Sequence, residues 1–358
     1  MKKVLVVLAL MVLLTAHAMP QPQSGRVFEF LNLPGTARIT ALGGYAIPVP
    51  DNDLGMALVY PSLLSQDINN HLSLNFVDYF DDINYGLVAF SHYFNRLGQF
   101  SAALQYIDYG RFTEADETGY ITGEFTAGEY SLQVGWGRPL SENFMIGSNL
   151  KMIYSSFYTY ESTGMAADVS FAYINPEHQL VAAIVARNIG RQITYYHGGN
   201  REPLPFDLML GVSKKLNNAP FQFSLVANNL HNFDLTYESP LLLPDHFSNG
   251  NDGRSVQQKV SDFGDNLMRH LTLGLEFIPS RNFSFRMGYN YRRRQEMKVD
   301  TRLSTVGFSW GFGIHISRFQ LHYGRSNYHL AGTPNHISLS TSLQDLFYRP
   351  NNKEEVLF

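Results

Sequence analysis

A chain of 358 residues with a formal net charge of −4 has room for one large barrel or two ordinary domains, and so small a charge does not suggest a nucleic-acid partner. It has no cysteine, which removes disulfides, thiol catalysis and lipid attachment through an N-terminal Cys. Mean hydropathy is −0.16, and past the N-terminus no run approaches the roughly eighteen apolar residues of a transmembrane helix, so a helical membrane protein is excluded.

The chain opens with a secretory signal pattern at residues 1–18. Lys2 and Lys3 form the positive head, residues 4–14 an apolar run too short to span a bilayer, and Ala16-His17-Ala18 a small-x-small cleavage site. The exported protein is then either soluble or a β-barrel. Residues 19–70 follow without a long strand run. Gly43-Gly44 marks a tight turn, and residues 53–64 read as a short helix with Asp53 as N-cap, ended near Pro61. A fourteen-strand barrel is too wide for its own side chains to fill. This segment is therefore expected to enter the barrel as a hatch, the alternative being an ordered periplasmic arm.

Residues 71–348 repeat one unit, a strand of alternating polarity and then a turn signal. Tyr130, Leu132, Val134 and Trp136 alternate with Glu129, Ser131, Gln133 and Gly135. Leu271, Leu273, Leu275 and Phe277 alternate with His270, Thr272, Gly274 and Glu276, and Phe283 to Tyr291 with Asn282 to Arg292. About fourteen strands fit, in an all-β, antiparallel arrangement. Even-numbered connections are short, such as those at 139–143, 175–178 and 279–282. Odd-numbered ones are mostly longer and polar, at 113–124, 195–203, 238–269 and 292–303, the first (80–83) being short. Short turns on one side and long loops on the other are the pattern of an up-and-down outer-membrane barrel. Tyr and Phe gather at strand ends, as interfacial girdles do. The non-apolar face carries Gly, Ser, Thr, Asn and Gln rather than Lys and Glu, which suits a lumen. Residues 349–358 form a C-terminal tail ending in Phe358.

One stretch, residues 304–319, frames the orientation. Val306, Phe308, Trp310, Phe312, Ile314 and Ile316 form one face, and a membrane barrel turns Phe308, Trp310, Phe312 and Ile314 to lipid. Gly307, Ser309, Gly311 and Gly313 then face the lumen, and Trp310→Arg near the bilayer middle is expected to cost about 2–4 kcal/mol.

Catalytic patterns are thin. Ser148-Asn149-Leu150-Lys151 matches S-x-x-K, but it falls within a strand and lacks a K-T-G partner. No G-x-S-x-G, H-E-x-x-H or EF-hand-type loop occurs, and His315 and His322 read as lumen or turn residues rather than metal ligands. Neither catalytic residues, nor a cofactor, nor a metal site is expected. Two surface features remain as partner-binding candidates. Leu241, Leu242 and Leu243 open the longest loop, 238–269, which closes with the helix-like SVQQKVSDFGDNLMRH, and Arg292, Arg293 and Arg294 stand at the outer end of a strand.

Residues 27–44 (VFEFLNLPGTARITALGG), 128–140 (GEYSLQVGWGRPL) and 200–225 (NREPLPFDLMLGVSKKLNNAPFQFSL) resemble, in order and over nearly all the mature chain, the PorQ family of outer-membrane components of the type IX secretion system. The first block is also similar to the N-terminal hatch of the wider long-chain fatty-acid transporter superfamily, which includes PorV. That group commonly shows Asn-Pro-Ala where this chain has Tyr60-Pro61-Ser62. The resemblance implies a fourteen-stranded barrel in the outer membrane of a Bacteroidetes-type Gram-negative cell. It also implies partners in the PorV-, PorU- and PorZ-like attachment complex, contact with outer-membrane lipid and lipopolysaccharide, and an anchoring rather than enzymatic role. A transporter for apolar solutes is the second expectation, to be told by gaps in the wall against a sealed lumen. A soluble secreted β-protein is the third.

Overall fold

The computed structural model describes residues 25–51, 53–80, 82–197, 201–236, 256–297, 305–327 and 332–343. The expected signal peptide (1–18), Leu241 to Leu243 and the expected C-terminal tail (349–358) lie outside them. Fourteen strands form one closed barrel, each pairing antiparallel with its sequence neighbours. In order they are β1 (His71–Asp78), β2 (Asn84–Phe94), β3 (Gly98–Ala115), β4 (Ile121–Pro139), β5 (Phe144–Phe157), β6 (Tyr160–Asn175) and β7 (Leu180–Thr194). The second half is β8 (Asp207–Lys215), β9 (Phe221–Ala227), β10 (Leu271–Ser280), β11 (Phe283–Asn290), β12 (Phe308–Ile316), β13 (Phe319–Ser326) and β14 (Asn335–Ser342). Closure pairs β1 with β14, His71 lying opposite Ser342. No described helix is long and apolar enough to cross a membrane, so any crossing is made by strands.

Burial along the strands inverts the rule for a protein in water. On β4, Leu132 is 51% exposed while its neighbour Ser131 is 2% exposed. On β10, Leu273 is 48% exposed and Thr272 is 2%. Apolar side chains facing outward and Ser, Thr, Gln and Gly facing inward are what a lipid solvent selects. Lipid-facing aromatics pair near the short-turn end (Phe94 with Phe100 at 5.3 Å, Phe144 with Phe171 at 5.4 Å, Phe221 with Phe277 at 5.1 Å) and near the loop end (Tyr289 with Phe308 at 4.7 Å).

The connections after β7, β9, β11 and β13 are the longer ones, as the sequence indicates, but β5 and β6 are joined by Tyr158-Thr159 alone, and two further readings are corrected. Residues 113–124 are not a loop. They carry β3 and β4 outward as a hairpin, Phe112 opposite Phe125, with only 116–120 left as its tip. Residues from Tyr291 onward do not continue β11, because the chain turns into a helix over Tyr291–Met297. In the 304–319 stretch the strand starts at Phe308. Val306 is buried beside the positive-φ Gly307 and is not part of the lipid face.

The N-terminal segment lies inside the barrel. Helix α1 (Ala37–Ala41) is capped by Thr36, whose hydroxyl accepts from the Ile39 N–H at 3.3 Å. Helix α2 (Leu54–Val59) is capped by Asp53, which accepts from Gly55 and Met56 as the sequence indicates. A 3-10 turn at Pro61–Leu63 follows. The hatch is bonded to the wall all round its girth: the Ala37 N–H donates to Ser338 Oγ (2.8 Å), the Ser62 N–H to Ser170 Oγ (2.6 Å), and Gln133 and Asn149 both donate to the Leu58 carbonyl (3.1 and 2.7 Å). Wall glycines make the close approach possible. A Cβ on Gly324 would stand 2.1 Å from the Ala37 carbonyl oxygen, and one on Gly288 2.2 Å from the Gly43 nitrogen.

Candidate functional site: the occluded lumen and its side seam

Three regions of the lumen carry the chemistry. The first, toward the short-turn end, is an ion cluster that locks the hatch. Arg38, on α1, is forked onto Glu276 of β10 through Nε and Nη2 (3.0 and 2.8 Å), and its Nη1 reaches Asp51 (2.5 Å) and Asp53 (3.2 Å). Arg286 of β11 donates to the same Glu276 (2.6 Å) and to His322 Nδ1 on β13 (2.8 Å). Glu276 and Arg286 occupy lumen positions in strands whose alternate residues face lipid, so period-two alternation puts a charge inside at no cost to the lipid face. Separating such a pair would strand a buried charge, typically costing about 3–5 kcal/mol. Beneath the cluster a cavity of about 360 Å³ opens between the hatch and the strand ends at Ser280, Asn282, His315 and Gln320.

The second region is a packed apolar cluster near the outer end. Val27, Phe28, Phe30 and Leu31 of the hatch pack with Val77, Tyr85, Ile107, Ile153, Ala166 and Leu204, and Tyr79, Tyr109 and Tyr196 border them. Phe28 takes a left-handed backbone (φ 61) that directs its ring at Gly164, where a Cβ would lie 2.6 Å from the ring.

The third region is the seam between β7 and β8. Their ladder ends at Arg187 opposite Asp207, and among the described residues β7 continues from Asn188 to Thr194 with no partner on that side. Asn188 has φ 56, and the β6–β7 register shifts nearby, between Ala167 and Val169. Residues 201–206 (REPLPF) fill the gap as a strap. Its two prolines lack the N–H that a ladder needs. Side chains and one hatch amide hold it instead: Asn188 Nδ2 donates to the Pro205 carbonyl (2.9 Å), the Glu202 N–H to Gln192 Oε1 (3.1 Å), and the Val27 N–H to the Pro203 carbonyl (3.1 Å). On its inner side Leu204 is buried in the apolar cluster, while Ile189 and Ile193 stand exposed along the unpaired edge of β7. Asn188 is itself fixed by a buried set, with Lys151 Nζ 2.8 Å from Asp168 and 2.9 Å from Asn188 Oδ1.

The residues singled out in the sequence fall elsewhere. Ser148 and Lys151 point to opposite sides of β5, and the Lys151 ammonium is engaged by Asp168, so they form no nucleophile–base pair. Arg292 to Arg294 lie on α4 (Tyr291–Met297), which follows α3 (Val256–Arg269) in chain order. They are half-buried: Arg292 pairs with Glu296 (2.7 Å), and Arg293 donates to Ser326 (2.6 Å) and lies against Gly44 of the hatch. Among the described residues no group of three or more His, Asp or Glu side chains is placed to hold a metal. Sequence reading passed over Arg38, Glu276, Arg286 and the 201–206 strap. The available signals were charges on the lumen phase of otherwise apolar strands, and a proline pair where a strand would be expected to start.

No protein-family model matches the chain, and no curated protein matches it. Solved structures do. The Ralstonia pickettii toluene transporter TbuX aligns with a TM-score of 0.52 at 11% identity, over 87% of this chain and 99% of that one. A deltaS2 mutant of the TodX monoaromatic hydrocarbon channel gives 0.50 at 11%, over 86% and 97%. The Pseudomonas putida toluene transporter TodX gives 0.48 at 11%, over 88% and 98%. At such identity the likeness is one of fold. The chain has the fold of a fourteen-stranded outer-membrane β-barrel. Its neighbours in that fold include the TbuX and TodX barrels.

Proposed function

We propose that the protein is a hatch-closed passage for small apolar molecules, with its exit through the wall rather than along the barrel axis. The seam between β7 and β8 carries this reading. An axial route requires breaking the Arg38–Glu276–Arg286 cluster, whereas a sideways route requires only that the 201–206 strap move. The strap is the one described piece of wall at this seam without a ladder, and it has a packed apolar cluster behind it and apolar residues beside it. The fold shared with toluene transporters is consistent with this reading. The chain lacks cysteine, so a disulfide can be introduced cleanly. Proteoliposomes carrying the double variant Gln192→Cys, Glu202→Cys are expected to lose toluene permeation when oxidised and regain it on reduction. Equal permeation in both states would sink the side exit.

A second reading, a PorQ-like surface anchor for a PorZ-like protein beside PorU- and PorV-like partners, is favoured by a different observation. Helix α3 turns its polar side inward: Asn266 is 8% exposed, its Oδ1 accepting the Leu235 N–H, and Asp265 accepts from the Tyr291 hydroxyl. Phe263 (57%) and Leu267 (45%) are left outward, with the Phe233 ring tilted against Phe263 at 5.4 Å. An apolar face presented by an outer loop fits a protein partner. Leu241 to Leu243 and Arg292 to Arg294 remain proposed contributors to that docking.

A further inference from the structure

Two buried carboxylates of the lumen, Glu129 and Asp207, have no ion pair among the described residues, whereas Glu276 is paired with Arg38 and Arg286 and Asp168 with Lys151. Asp207 is held by the Asn229 backbone N–H at 2.7 Å. Glu129 is 4% exposed, and no described cation pairs with it. Its neighbours are hydroxyls and rings. The Tyr109 hydroxyl donates to Glu129 Oε2 at 2.6 Å, and Ser155 lies directly opposite Glu129 on the neighbouring strand. The Tyr196 hydroxyl donates in turn to Ser155 Oγ at 2.5 Å.

The register explains how these groups meet. Val77, Tyr85, Ile107, Glu129, Ser155 and Ser162 lie opposite one another in turn across β1 to β6, one lumen-facing row below the outer rim. Just above it the β3–β4 register shifts between Asp108 and Arg111, with Gly110 at φ 81, and this bulge brings Tyr109 over Glu129. Phe157 completes the set, its ring 5.4 Å from that of Tyr109 and 5.8 Å from that of Tyr196. The three rings are half-buried, Tyr109 and Tyr196 bordering the apolar cluster, so each keeps part of its surface open to an incoming molecule.

We propose that Glu129, Tyr109, Phe157 and Tyr196 form a binding site for an organic ammonium ion with an apolar body. A carboxylate supplies the missing counter-charge, and aromatic faces attract a cation through their quadrupole while accepting its methyl or methylene groups. The site stands on its own geometry. Its use as a first halt for a permeating molecule rests on the passage reading.

The test uses the full-length barrel in detergent and isothermal titration with benzyltrimethylammonium, a cation without a titratable proton, beside its neutral isostere neopentylbenzene. Wild type is expected to bind the cation, and Glu129→Gln to weaken it on the order of tenfold with the neutral isostere unaffected. Tyr196→Leu should weaken the cation similarly, whereas Tyr109→Phe, which keeps the ring, should largely retain it. Heat-modifiable gel mobility checks that each variant is a closed barrel. Cation binding equal in wild type and Glu129→Gln, or no preference for the cation over its isostere, would overturn the site. Toluene permeation is measured on the same proteins. Unchanged permeation in Glu129→Gln alongside lost cation binding supports the site, whereas failed cation binding by a toluene-permeable wild type refutes the site and leaves the passage standing.

Discussion

Phe312 sits halfway along β12, with Trp310 one lipid-facing position nearer the outer end. The cost of a charge on the lipid face depends on depth, so the orientation test moves down by two residues from where the sequence alone placed it. Phe312→Arg is expected to destabilise the barrel by about 2–4 kcal/mol, and Trp310→Arg, one lipid-facing position nearer the outer end, by less. Reversible urea unfolding in lipid vesicles measures both, and equal costs would refute this depth assignment. Ser309 lies between them in sequence but on the other face, with its hydroxyl donating to the Ala41 carbonyl at 3.0 Å. Its alternation with Phe308 and Trp310 is plain in the sequence. Its partner on the hatch, 268 positions away, is not, because period two reports a face and not what lies against it.

At the scale of elements, strands were the most readable feature and connections the least. A strand's alternation is repeated at every position, so several residues vote for the same assignment. The 113–124 stretch reads as a loop because its polarity is high on both faces. Above the bilayer neither face of a hairpin meets lipid or a packed lumen, so the alternation that identifies strands is no longer selected. Helix α3 was legible from its spacing, but the inversion of its burial was not, because which side of an amphipathic helix is covered depends on Leu235 and Tyr291 arriving from other segments. Under the anchoring reading, Phe263→Ser combined with Leu267→Ser should release an extracellular partner from whole cells. Gel mobility of the barrel should stay unchanged. Full retention of the partner, read by surface proteolysis and immunoblotting, would remove α3 from the docking surface.

For the whole molecule the central relation is between barrel and hatch. The hatch is seated by small wall residues and locked by the Arg38 cluster. The barrel closes through its own ladders, β1 with β14 included. The two layers should therefore separate under mutation. Gly324→Val drives a side chain into the Ala37 carbonyl, and it is expected to unseat α1 while leaving the fourteen-strand ladder intact. Planar-bilayer recordings should show larger and noisier conductance than wild type, with heat-modifiable mobility retained. A wild-type conductance in a properly folded Gly324→Val barrel would mean that the hatch adjusts to the added methyls.

By itself the sequence determined the class: strands that alternate in period two, with short turns on one side, mostly longer connections on the other, and an N-terminal segment apart. Those properties are local, and each is written many times along the chain. Only the tertiary structure decided what fills the lumen, where the wall lacks a ladder and which charges meet. Arg38 and Glu276 are 238 positions apart, and Arg187 and Asp207 end a ladder whose interruption is invisible in either strand alone. Contacts of that range are set by barrel closure and register, which sum over all fourteen strands and have no signature in any one of them.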